Sequence, residues 1–129
     1  MIVDDEPDVV KILGMRLKAN GYQIIAAHDG AAAIELAHYE KPDLIILDIK
    51  MPGTDGYSVF EEIKASASTM SIPIVFFSAL LPEQVQEKVT QLGADGFVSK
   101  SAEPEEILTK ITEILGQLKS QPEHSLITK

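Results

Sequence analysis

The sequence predicts an α/β protein built on a doubly wound, five-stranded parallel sheet, and three observations carry that expectation. Short apolar runs alternate five times with longer stretches of helical period. Two of the runs, LIIL at Leu44–Leu47 and IVFF at Ile74–Phe77, are continuously apolar, as parallel strands covered on both faces must be. The length of 129 residues, 45% of them hydrophobic, suits one domain with a real core and leaves little room for a second.

Met1–Val3 reads as the first strand. Pro7 then stands where a first-turn proline is tolerated, Val9, Val10, Leu13 and Leu17 form one helical face, and Asn20-Gly21 ends that helix. Tyr22–Ala27 is the second strand. Ala33, Leu36 and Ala37 mark the second helix, closed by Lys41-Pro42, before the third strand at Leu44–Leu47. Tyr57, Phe60 and Ile63 mark the third helix and Ile74–Phe77 the fourth strand. Val85, Val89 and Leu92 mark a fourth helix that begins near Pro82 and ends at Gly93. Gly96–Ser99 is the fifth strand, and Ile107, Leu108, Ile111, Ile114, Leu115 and Leu118 give the last and clearest stripe. Right-handed crossovers and five strands fit the order 2-1-3-4-5. The domain is expected over residues 1–119. The remainder, 120–129, loses the apolar period and reads as a tail or the start of a linker.

The formal net charge of −9 repels phosphate backbones and anionic membranes, which argues against direct nucleic-acid binding. There is no cysteine, so disulfide scaffolds and thiolate metal sites are excluded and a reducing cytosol is suitable. No apolar run approaches the ~18 residues a bilayer requires. The opening MIVDDEP lacks the basic region of a signal peptide, so a soluble cytoplasmic protein is expected. His28, His38 and His124 are scattered, and none is read as a ligand or phosphocarrier.

In such a sheet, ligands bind beyond the carboxyl ends of the strands where the winding reverses, here between the first and third strands. Asp4-Asp5 and Asp48 stand at those two ends, Ser78 follows the fourth strand, and Lys100 follows the fifth. Two carboxylates about 4 Å apart repel by roughly 4 kcal/mol at an effective dielectric near 20. A hard divalent cation and one ammonium would balance three such charges, and oxygen-only ligands select Mg²⁺. Plainer explanations exist for each residue: Asp5 as a helix cap before proline, Asp48 opening a loop, Ser78 satisfying a backbone group, Lys100 solvated. They do not explain the joint appearance at successive strand ends.

VDDEP at Val3–Pro7, LIILDIKMPGTDG at Leu44–Gly56, PIVFFSA at Pro73–Ala79 and GADGFVSK at Gly93–Lys100 together resemble the four signatures of response-regulator receiver domains, the CheY-like members of the flavodoxin-like fold. The resemblance runs from Met1 to about Leu118. It implies that Asp48 is the phospho-acceptor in a two-component pathway. It further implies a Mg²⁺ site formed by Asp4, Asp5, Asp48 and the backbone carbonyl of Lys50, with Asp5 a direct ligand and Asp4 acting mainly through water. Ser78 would bond a phosphoryl oxygen, Lys100 would pair with Asp48 and then the phosphoryl group, and Ser78 with Phe97 would form the switch. The implied partners are a sensor histidine kinase or histidine phosphotransfer protein. A homodimer through the fourth helix, fifth strand and fifth helix is a further expectation. The chain would be a signalling switch and not an enzyme acting on external substrates.

The sequence departs from the family pattern in places. Ser101 follows Lys100 where the family usually has proline, often after a cis bond, and a cis bond before serine would cost about 2.5–4 kcal/mol. The first strand begins at Met1, without the residues that receivers commonly carry ahead of it. Two other readings compete. One is a pseudo-receiver that keeps the fold only as an interaction scaffold. The other is an enzyme on a similar fold: a phosphatase, which would carry its nucleophile on the first strand with a second Asp two residues on, or a flavin protein, which would need a Ser/Thr/Gly-rich loop where DDEPD stands.

Overall fold

The computed structural model describes residues 1–119, so the tail expected at 120–129 lies outside the described residues. Five parallel strands form one sheet: β1 (Ile2–Val3), β2 (Ala26–Ala27), β3 (Ile45–Leu47), β4 (Ile74–Ser78) and β5 (Gly96–Ser99). Their spatial order is β2-β1-β3-β4-β5, the doubly wound arrangement with its reversal between β1 and β3. Helices α1 (Pro7–Ala19), α2 (Gly30–Glu40), α3 (Gly56–Ala65), α4 (Pro82–Leu92) and α5 (Pro104–Lys119) connect and follow them.

Strand side chains alternate between faces, and the core divides accordingly. Ile45, Leu47, Ile74 and Phe76 point to one side, where Ala33 and Ala37 of α2, Val59, Phe60 and Ile63 of α3, and Val85 and Val89 of α4 meet them. Ile46, Val75 and Val98 point to the other, against Leu13 and Leu17 of α1 and Ile107, Ile111 and Ile114 of α5. Three helices cover one face and two the other. This is why LIIL and IVFF have no polar position: each residue is enclosed by one helical layer or the other.

Three local outcomes differ from the pattern read in the sequence. The second strand is confined to Ala26–Ala27 rather than Tyr22–Ala27, because it lies at the sheet edge and pairs only with the two residues of β1. A small antiparallel hairpin follows β3, pairing Lys50 with Asp55 and Met51 with Thr54. Its turn is Pro52-Gly53 with Gly53 at φ 81°, the proline-then-glycine chemistry of a type II turn. The cap of α1 is Glu6, not Asp5, and its side chain makes no cap hydrogen bond.

Candidate functional site

Main-chain hydrogen bonds carry the sheet ladder one residue past the strands, and those residues are the acidic and basic ones. Asp4 N–H donates to the Ala27 carbonyl at 3.0 Å, Asp48 N–H to the Val3 carbonyl at 3.0 Å, and Lys100 N–H to the Ser78 carbonyl at 2.8 Å. Backbones fixed in this way leave the side chains little choice of direction. Asp4 and Asp48 are buried, 1% and 4% exposed, at the carboxyl ends of the two strands where the winding reverses.

Lys100 Nζ joins them. It lies 2.9 Å from Asp4 Oδ2, 3.1 Å from Glu6 Oε1 and 3.2 Å from Asp48 Oδ2. The contacts to Glu6 and Asp48 are aligned hydrogen bonds. The contact to Asp4, the shortest of the three, is an ion pair that lies off that alignment, and it gives the buried Asp4 Oδ2 the Lys100 ammonium for its partner. The opposite oxygens are held by backbone: Asp4 Oδ1 accepts from Glu6 N–H at 3.0 Å, and Asp48 Oδ1 accepts from Ile49 N–H at 2.8 Å.

The carboxylates of Asp4, Glu6 and Asp48 offer oxygens within 4.8 Å of one another. Three carboxylates against one ammonium leave two formal negative charges uncompensated. The electrostatics reflect it. Burial, and then the neighbouring charge of Asp4, raise the Asp48 pKa above its ordinary value, while Lys100 and the Ile49 N–H oppose the shift. Burial alone would lower the Lys100 pKa, but the close contact with Asp4 and the charges of Asp48 and Asp4 outweigh it and hold the ammonium above its usual value.

Ser78 is buried at the end of β4, its Oγ accepting from Leu80 N–H at 3.2 Å. Phe97 pairs in register with Phe76 on β4 and packs half-buried against the α2–α3–α4 side of the core. Lys50 opens the hairpin two residues after Asp48, with an exposed side chain. Asp5 is partly exposed and stands outside the trio of neighbouring carboxylates, whereas Glu6, which the sequence reading passed over, belongs to it. No peptide bond among the described residues is cis, so Lys100 reaches the two aspartates across a trans bond to Ser101. His28 is exposed, His38 Nδ1 lies 2.9 Å from Ser68 Oγ, and His124 is outside the described residues. A groove of about 630 Å³ opens elsewhere, lined by Met1, Tyr22, Leu44 and Leu115, and none of Asp4, Asp48 and Lys100 borders it.

Two buried aspartates, an ammonium beside both and a buried hydroxyl one strand over can stabilise charge on a transferring oxyanion group. Residues 1–112 match the model of the response regulator receiver domain family. The chain is 42% identical over 117 residues to the probable transcriptional regulator ycf27 of Guillardia theta, a match covering 89% of this chain and 44% of that protein. It therefore spans less than half the length of that relative. Among solved structures, it is similar to a putative response regulator from Chloroflexus aurantiacus J-10-fl, with a TM-score of 0.83, 29% identity and coverage of 89% and 94% of the two chains. It is likewise similar to the receiver domain of a signal transduction histidine kinase from Syntrophus aciditrophicus, with a TM-score of 0.83, 28% identity and coverage of 93% and 91%. The chain belongs to the response regulator receiver domain family.

Proposed function

We propose that Asp48 accepts a phosphoryl group from the phosphohistidine of a sensor kinase or phosphotransfer protein, and that the modified domain controls a downstream partner or output segment. The observation that carries this reading is the Asp48–Lys100 pair, with its second aspartate, built at the reversal point of the sheet. The Asp48 carboxylate attacks phosphorus as the bond to the donor imidazole nitrogen breaks, yielding an acyl phosphate. Because the transition state is loose, the chain contributes chiefly position and opposite charge. Lys100 supplies an ammonium to the phosphoryl oxygens, and Ser78 supplies a hydroxyl that can leave its local turn to bond one of them.

The donor set fits Mg²⁺. Asp4 Oδ2 is buried with only the off-line Lys100 ammonium beside it, neighbouring oxygens come from Asp48 and Glu6, and two negative charges stand unbalanced. Asp4, Asp48, the adjacent Asp5 and the backbone carbonyl of Lys50 are the groups that would hold the ion. When bound, it supplies charge neutralisation at the transferring group. The phosphoryl group adds nearly two charges and three acceptor oxygens. Drawing Ser78 toward them would open space for the ring of Phe97, and the surface of α4, β5 and α5 would report the change by packing, to a partner or a second copy. No helix among the described residues is long and apolar enough to cross a membrane, and the acidic charge disfavours nucleic acid as a direct partner of this domain. Contact with DNA, if the full protein makes it, would fall to another segment.

Incubation with acetyl phosphate and Mg²⁺, read by intact mass, tests the reading. Wild type should gain the mass of one phosphoryl group and Asp48→Asn should not. A wild type that gains nothing would leave the interaction-scaffold alternative in its place.

A further inference from the structure

We infer that Glu6 is a positioning residue of the Asp48 site: its carboxylate competes for the Lys100 ammonium and must yield before an arriving phosphoryl group can be bound. The inference rests on the phospho-acceptor reading above and adds a residue to it. Glu6 occupies the cap position of α1, where side chains ordinarily bond the first free N–H groups of the helix. It makes no such bond. Its side chain turns instead to Lys100, 94 positions away in sequence, at 3.1 Å. Its own N–H donates to Asp4 Oδ1 at 3.0 Å, so the main chain at Glu6 is tied to the site that the side chain enters.

An ammonium has three N–H donors. Around Lys100 Nζ stand three carboxylate oxygens, at 2.9, 3.1 and 3.2 Å. A phosphoryl oxygen can take a place there only if one of them withdraws. Asp4 is buried and its other oxygen is held by backbone. Asp48 is the nucleophile, and must remain beside Lys100 until the new bond forms. Glu6, with a side chain 62% exposed, is the partner that can swing into water. Its departure is a cost attached to each phosphorylation. Its negative charge also adds to the attraction felt by a divalent cation. Removing that charge therefore has two effects of opposite sign, which a purely structural role would not produce.

The isosteric variant Glu6→Gln separates them. Mg²⁺ binding is measured directly, by NMR titration or calorimetry. Beryllofluoride binding and acetyl phosphate labelling are then measured at saturating Mg²⁺, with Asp48→Asn as the blank. The Mg²⁺ dissociation constant should rise by about twofold to fivefold. The labelling rate and beryllofluoride affinity should increase by a similar factor, the range an exposed ion pair supports. Glu6→Asp, charged but too short to hold Nζ, should keep the Mg²⁺ affinity and show the faster labelling. A Glu6→Gln protein that labels no faster than wild type at saturating Mg²⁺ would overturn the inference and leave the phospho-acceptor reading standing. A wild type that fails to label would overturn both.

Discussion

Lys100 answers to three carboxylates at once, and the protonation of Asp48 depends on that arrangement. Burial and Asp4 raise the Asp48 pKa, and Lys100 pulls it back. In the metal-free protein the Asp48 carboxyl should therefore titrate, by NMR, above the ordinary aspartate value of about 3.9. In Lys100→Gln the opposing charge is gone. Its metal-free Asp48 titration should move to still higher pH, and its labelling rate with Mg²⁺ should drop by about a hundredfold or more, as when one charge-stabilising donor is removed; an unmoved titration would show that Lys100 does not set the Asp48 charge. Gly56 matters for a steric reason. A Cβ there would collide with the Asp48 carbonyl oxygen and stand 2.9 Å from Ile49 Cα. Backbone cannot give way cheaply, so Gly56→Ala should destabilise the protein by about 2 kcal/mol or more, read by urea unfolding, and should slow labelling as Asp48 is displaced. Asp4, Asp48, Ser78 and Lys100 were legible in the sequence because each follows an apolar run, where a parallel sheet exposes its functional end. Glu6 was not. In a one-dimensional string it reads as the start of a helix, and only the absent cap bond and the fold-back of Lys100 reveal its second role.

At the level of elements, β4 and α3 meet through aromatic packing. Phe76 is fully buried, with its ring centroid 5.4 Å from Tyr57 in an edge-on contact and 5.6 Å from Phe60. It also pairs in register with Phe97, so β4 links the helix after Asp48 to the strand that carries Phe97. Phe76→Ala should cost about 3–5 kcal/mol, a large part of the 5–15 kcal/mol typical of a domain. Denaturant unfolding with an unchanged m-value would check it. The apolar runs that formed β3 and β4 were readable because burial on both faces leaves them no polar alternative. The edge strand and the hairpin at Lys50–Met51 and Thr54–Asp55 were less so. The length of β2 is set by the partner it pairs with, and two-residue arms are too short to carry a period. Helix ends followed their signals where backbone geometry demanded them: Gly93 closes α4 at φ 75°, and Asn20 caps α1 ahead of Gly21 at φ 90°.

For the whole molecule, the site is a place where stability is given up, and its two shifted groups both make it costlier as pH rises. Lys100 has a raised folded pKa, so its contribution is fully present below its unfolded value and is lost only as pH rises through the folded one. Asp48 is an acid whose folded pKa is also raised, so folding disfavours its charged form. That cost grows as pH climbs from the unfolded value through the folded one, and it is complete above both. Near neutrality the ionised Asp48 therefore opposes folding, next to the second buried carboxylate, Asp4. Asp48→Asn removes the charge while Lys100 keeps Asp4 and Glu6 as partners. Without Mg²⁺, the variant should melt at a higher temperature than wild type. With Mg²⁺ the order should narrow or reverse, because an ion bound only by the native state adds about 2.7 kcal/mol at a hundredfold excess over its dissociation constant. The variant has lost a carboxylate from the trio and should gain much less. Thermal melts of both proteins across a Mg²⁺ series, at constant ionic strength, would measure this directly. Equal Mg²⁺-induced shifts would mean that Asp48 does not contribute to holding the ion, and a wild type more stable than Asp48→Asn without Mg²⁺ would mean that the Asp48 charge does not strain the fold.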